Sequence, residues 1–279
     1  MFSGGLIFRK EVMKMDIGVS TACLYPLETE KALYELAERG VKNVEIFVNS
    51  IDELEGQVLV ELRRTIGEYG MNVISMHPFS SPMETLFLFG DYPRRTEYLI
   101  DIYKRYFEVM AEIGAGVFVL HGAILSSKVP DERYMERYLR LFRLAKEFGV
   151  TVAQENICYC KSSSVRFIED MIGQLGDEVR FVVDLKQARR SNVDPFRLMD
   201  IIGDKVVHLH VSDGNAGCDC LPIGKGSFNF NRLFGELEKI KYDKAMIVEL
   251  YRENYSSYDE LAVCANNMKK IYDKYKMGL

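Results

Sequence analysis

Tryptophan is absent from the 279 residues, and histidine occurs only four times. Seven prolines and 21 glycines are too few for a collagen-like or low-complexity chain, and 48% hydrophobic residues exclude disorder. No apolar run approaches the length of about eighteen residues that a membrane-spanning helix needs. Positive charge is also short: 36 Lys and Arg face 41 Asp and Glu, a net charge of −5, which argues against a nucleic-acid footprint. Six cysteines scattered over so long a chain do not make a disulfide scaffold. The apolar stretch Leu6-Ile7-Phe8 is too short for a signal-peptide core and runs into Arg9, Lys10 and Glu11. A cytoplasmic protein is expected, with residues 1–14 a tail or docking arm and Met13 or Met15 a candidate start.

What the chain does contain is an alternation. Short runs rich in Val and Ile predict strands at 16–21, 43–47, 72–77, 117–121, 151–155, 180–184, 206–212 and 244–249. Helical spacing follows at 28–39, 58–69, 93–113, 131–148, 164–174, 195–202, 229–240 and 256–275. Asp194-Pro195 reads as an N-cap with proline in the first turn. Gly40, Gly70, Gly114 and Gly149 stand where a left-handed helix end belongs. Eight strand–helix repeats without a composition break predict a single-domain α/β chain, a (β/α)8 TIM barrel over 15–279. A doubly wound open sheet is the alternative, but strand one runs into Ser20-Thr21-Ala22-Cys23 rather than a glycine-rich turn.

Function in such barrels sits at the C-terminal ends of the strands. Those ends carry Glu45, His77, His121, Glu155, Asp184, His208 with His210, and Glu249, so all four histidines fall on strands. Taken singly, a strand-end carboxylate is usually a cap or an ion-pair partner, and a buried histidine a hydrogen-bonded core residue. Taken together, Glu155, Asp184 and Glu249 would repel one another unless a cation lay between them. With His210 they make an oxygen-rich set with one imidazole, suited to one divalent metal ion: Mn²⁺, Zn²⁺, Co²⁺ or Mg²⁺. His208, two residues before His210 on the same face, is expected to support the ligands or pack.

Three further features bear on this face. Cys158-Tyr159-Cys160 and Cys218-Asp219-Cys220 follow strands five and seven, where four thiols could hold a second metal or form a disulfide, although C-x-C is less typical of structural zinc than C-x₂-C and coincidence is the simpler reading. Gly224-Lys225-Gly226-Ser227 is either a phosphate-binding loop or a flexible substrate loop with a solvated lysine. Phe47, Phe79 and Tyr159 lie just past strand ends and could pack on the apolar face of a sugar, while Tyr98, Tyr103 and Tyr106 on the third helix could face a second subunit.

The ordered set VEIF at Glu45, SMHPF at His77, VLHG at His121, QEN at Glu155, VVDLKQA at Asp184, HLHVSD at His210 and Asp213, PIGKG at 222–226 and IVEL at Glu249 spans nearly the whole chain. In it the chain resembles the xylose isomerase-like barrel superfamily of sugar phosphate isomerases and epimerases, which includes the endonuclease IV (AP endonuclease) family. The resemblance implies a metal held by Glu155, Asp184, His210 and Glu249, with Glu155 and Glu249 moving a proton α to a carbonyl through an enediolate. His77, His121, Gln187, Asp213 and Lys225 are then expected to bind a small polyhydroxy carbonyl substrate, with Glu45 and His208 behind them. Departures are visible: Gln187 stands where the family has a histidine, Cys160 and Lys161 lie near its second loop glutamate, and Gly214-Asn215-Ala216 replaces its arginine. These point away from an ordinary ketose. An endonuclease IV-like, zinc-dependent phosphodiesterase on abasic DNA would need the histidine that Gln187 replaces and the Asp-x-His that Cys218-Asp219-Cys220 replaces. A ligand-binding barrel without turnover is the third reading.

Overall fold

The computed structural model describes residues 15–79 and 83–279. The N-terminal tail expected at 1–14 lies outside them. Eight parallel strands close into a barrel, ordered β1 (Ile17–Ser20), β10 (Met246–Val248), β7 (Val206–Val211), β6 (Phe181–Asp184), β5 (Thr151–Glu155), β4 (Val117–Leu120), β3 (Asn72–Pro78) and β2 (Asn43–Val48). The barrel therefore closes by pairing its first strand with its last, Val19 opposite Val248.

Helices return the chain between staves: α1 (Thr29–Glu38), α2 (Gly56–Tyr69), α3 (Pro93–Ile113), α4 (Asp131–Lys146), α5 (Val165–Leu175), α6 (Leu185–Arg190), α7 (Pro195–Ile202), α8 (Phe230–Lys239) and α9 (Asp259–Met277). Caps stop and start them as the residues dictate. Gly70 and Gly114 end α2 and α3 in the left-handed region, at φ 57° and 82°. Asp194 accepts from the Phe196 amide ahead of Pro195. Two elements were not foreseen. The six-residue α6 follows β6 directly, and a two-stranded antiparallel hairpin, β8 (Asp213–Asn215) with β9 (Cys218–Leu221), rises beyond β7. Among the described residues no helix is long and apolar enough to cross a membrane.

The main core lies between staves and helices, where the two-residue strand period sends Val44, Ile46, Phe118 and Leu120 outward against Tyr103, Tyr106 and Phe107. Tyr103 and Tyr106 are fully buried, so they are not the subunit surface expected of them; Tyr98 is exposed. A separate small cluster of Val119, Ala153 and Val182 fills the lumen. Each of these stands two residues before a polar residue, His121, Glu155 or Asp184, so one strand face carries an apolar plug and then a polar mouth.

Candidate metal centre

The mouth is built from the ends of β5, β6, β7 and β10. One donor atom each from Glu155, Asp184, His210 and Glu249 lies within 4.8 Å of the other three. His210 is the hub. Its Nδ1 stands 2.9 Å from Glu155 Oε1, 3.7 Å from Asp184 Oδ2 and 3.6 Å from Glu249 Oε2. Its Nε2 points the other way, 3.0 Å from Glu45 Oε2. Glu45 is buried and also accepts from the Ser75 hydroxyl at 2.8 Å, with His208 Nε2 at 3.2 Å. Glu45 and His208 thus lie beneath the quartet, where they set which way the His210 ring faces.

The electrostatics follow from burial against pairing. Burial would raise the Glu45 carboxyl, but His210 and His208 beside it pull it well below the usual carboxylate range. Glu155 behaves alike: burial opposes ionisation, and His210, His121 and His77 overcome it. Burial would lower His210, yet Glu45, Glu249 and Glu155 raise it well above an ordinary histidine. His208 is depressed by burial.

Neighbouring residues fix the frame. The Asn156 side chain binds the Asp184 backbone twice, accepting from its amide at 2.7 Å and donating to its carbonyl at 3.1 Å. Asp184 Oδ1 caps α6 by accepting from the Gln187 amide at 2.9 Å. The Gln154 amide nitrogen donates to the carbonyls of Leu120 and His121 at 3.1 and 2.8 Å, locking β4 to β5. The tripeptide QEN therefore delivers one site carboxylate and two braces.

A cavity of about 250 Å³ opens above the quartet, lined by Phe47, His77, His121, Tyr159, Gln187 and Tyr251 among others. His121 Nε2 and His77 Nε2 are 2.8 Å apart, and both face Glu155 Oε2, at 3.2 and 3.6 Å. That oxygen is buried and has no hydrogen-bond partner. Three carboxylates and an imidazole converging in a dry site, one oxygen unsatisfied, fit a divalent cation.

Several expectations need correction. Asp213 is not at the mouth: its carboxylate is buried and accepts from the amides of Gly214, Gly224 and Phe228 at 2.8, 3.0 and 3.0 Å. The 224–227 loop spends its amides internally, Gly224 on Asp213, Lys225 on Pro222 and Ser227 on Gly214. A Cβ on Gly226 would lie 2.3 Å from Asp213 Oδ1, so that glycine serves packing. Lys225 is exposed and does not line the cavity. All six cysteines are free, and none joins a metal-like cluster among the described residues. Phe47 and Tyr159 line the cavity, whereas Phe79 does not.

Three residues at the mouth were missed. Lys186 is buried with its ammonium 2.5 Å from Asp184 Oδ2 and paired also with Glu249. Arg190 pairs with Asp219 of β9 and lies 4.9 Å from the centre of the Tyr251 ring. The signal for Lys186 and Arg190 was their place in LKQARR, directly after a strand-end Asp; Tyr251 had only its place two residues after Glu249.

Comparison with known proteins places these features. The family model described as "Xylose isomerase-like TIM barrel" matches residues 33–273. An uncharacterized protein of Methanocaldococcus jannaschii is 28% identical over 267 residues, covering 92% of this chain and 99% of the relative. Fructoselysine 3-epimerase of Escherichia coli O157:H7 is 22% identical over 249 residues, covering 85% of this chain and 90% of that protein. Among solved structures, a D-psicose 3-epimerase crystallised in the presence of D-fructose superposes with a TM-score of 0.75 at 14% identity, over 95% of this chain and 100% of its own.

Proposed function

The chain belongs to the xylose isomerase-like TIM barrel family, and from that premise we propose that it is a metal-dependent isomerase or epimerase of a small polyhydroxy carbonyl compound. The similarity to a fructoselysine 3-epimerase and to a D-psicose 3-epimerase supports the reaction class. The observation that carries the reading is the quartet itself, with Glu155 and Glu249 both facing Nδ1 of His210, at 2.9 and 3.6 Å, at the floor of a cavity of about 250 Å³. When bound, a divalent ion held by Glu155, Asp184, His210 and Glu249 would polarise the substrate carbonyl and acidify the adjacent C–H.

The chain's own residues supply the rest. Glu155 is held ionised by its histidine neighbours, the state in which a carboxylate can act as a proton acceptor. Glu249, the second glutamate lining the cavity, returns or removes the proton. His77 and His121, set edge to face at 4.5 Å between centres, position substrate oxygens beside Glu155. Phe47 and Tyr159 offer flat surfaces to its apolar side. Gln187, whose Oε1 accepts from the Cys158 amide, is a neutral hydrogen-bonding partner at the wall.

The test is solvent exchange. Protein supplied with Mn²⁺ or Co²⁺ in D₂O, offered a panel of ketoses, their phosphates and amine-linked ketoses, should incorporate deuterium next to the carbonyl of its substrate. Glu155→Gln and Glu249→Gln should each lower that rate by about 10²-fold or more. Full activity in either variant would overturn the acid/base assignment. One observation favours a second reading: His77, His121 and Glu155 make another metal-like trio, as a multinuclear zinc phosphodiesterase requires. About three zinc ions per chain, with cleavage at abasic sites, would favour it; one ion per chain favours the isomerase.

A further inference from the structure

Lys186 is an anomaly in this mouth. Its side chain is 3% exposed, and its ammonium touches Asp184 Oδ2 and Glu249 Oε2. Those are the same two oxygens that stand 3.7 and 3.6 Å from His210 Nδ1. Two of the four atoms that face one another in the quartet are therefore already engaged by a positive charge carried on the chain. An ammonium buried between two carboxylates is paired on both sides and keeps its charge. The placement is enforced by fold: Asp184 caps α6 through the Gln187 amide, which aims the second residue of that helix back over the carboxylate.

A divalent ion on those oxygens would lie within a few ångströms of the ammonium. Like charges that close in a dry interior repel strongly. The lysine stem is flexible, and its head lies beside open cavity, with the Tyr251 ring centre 5.6 Å away to receive it. We infer that Lys186 is a tethered cation that competes with a divalent ion for Asp184 and Glu249, so that an ion enters only by turning the ammonium out toward Tyr251 and the substrate space. The inference rests on reading the quartet as a metal site. It makes Lys186 a residue that sets the intrinsic affinity an ion must exceed to bind. The handicap is common to all divalent ions, so those with high intrinsic affinity for mixed oxygen and imidazole donors overcome it and weak binders such as Mg²⁺ do not. It also gives the metal-free chain internal neutralisation of a cluster that would otherwise repel itself.

Calorimetric titration of the full chain with Mn²⁺, Zn²⁺ and Mg²⁺ tests this, using wild type, Lys186→Met, Lys186→Arg and Asp184→Asn. Methionine keeps the length of the stem without its charge. Lys186→Met should bind Mn²⁺ about tenfold tighter or more, and should gain measurable Mg²⁺ binding. Lys186→Arg, still charged, should stay within a few-fold of wild type. Equal or weaker binding by Lys186→Met overturns the inference while leaving the metal site standing. Binding by Lys186→Met but not by wild type supports it and removes the metal from the wild-type reaction. No binding by either overturns both readings. Where Lys186→Met is poorly folded without metal, melting temperatures decide: Mn²⁺ should raise its Tm more than that of wild type, and an equal or smaller rise overturns the inference.

Discussion

His210 has two nitrogens with two tasks, and the division is set by what each faces. Nε2 is committed to Glu45, which leaves Nδ1 directed at the quartet. In the metal-free chain His210 is raised well above, and His77 above, an ordinary histidine, burial being outweighed by the surrounding carboxylates. Their stability contribution is complete below the unfolded value near 6.5 and is lost as pH rises through the folded value. His208, depressed by burial, acts oppositely: its contribution grows as pH rises toward 6.5. Metal-free stability should therefore peak near pH 6.5 and decline as pH rises above it, as read by urea unfolding in a chelator. Ion affinity should rise over that same window, because a ligating imidazole must shed its proton. A metal-free stability that goes on climbing above pH 6.5 would contradict the pairing described. The quartet was legible in the sequence because each member ends a strand, a position that periodicity locates. Lys186 was not, because its importance comes from pairing with Glu249, 63 residues further along.

At the scale of elements, the eight staves and most helices could be read because apolar spacing of two and of 3.6 is repeated over many residues. Short pieces escaped. The six residues of α6 are too few for propensity to announce a helix, and what nucleates it is the Asp184 cap, already counted as a site residue. The hairpin β8–β9 escaped because its organiser is the buried Asp213 carboxylate, which gathers three amides from residues 214, 224 and 228. HLHVSD was read as reaching for substrate, whereas its aspartate anchors the loop beside the mouth. Asp213→Ala would strip one buried and two partly buried amides of their acceptor; the buried one costs about 1–3 kcal/mol and the others, which water can reach, less. A loss of roughly 2–4 kcal/mol in urea unfolding at unchanged m-value is expected, with Asp213→Asn between the variant and wild type. A loss below about 1 kcal/mol would mean that the loop amides find other partners.

For the molecule as a whole, the division of labour runs along the barrel axis. Apolar residues plug the lumen at Val119, Ala153 and Val182, and the charged cluster sits one layer further toward the mouth. Below the cluster the lumen holds this apolar trio beside the buried Glu45 and His208, so the charged groups act on one another through buried surroundings. The pairing of Val19 with Val248 has a separate consequence. Met15 and Asp16 share the wall of one surface cavity with Tyr272 and Asp273, so the start of the described fold lies beside its last helix, α9. The order in which the chain is threaded is then separable from the shape it reaches. A circular permutant joining residue 279 to residue 15 by a short glycine–serine bridge, and reopened at the exposed Asp204 between α7 and β7, should reproduce the native circular dichroism spectrum and ion affinity. An unfolded permutant would show that the seam between first and last stave must be made in a fixed order.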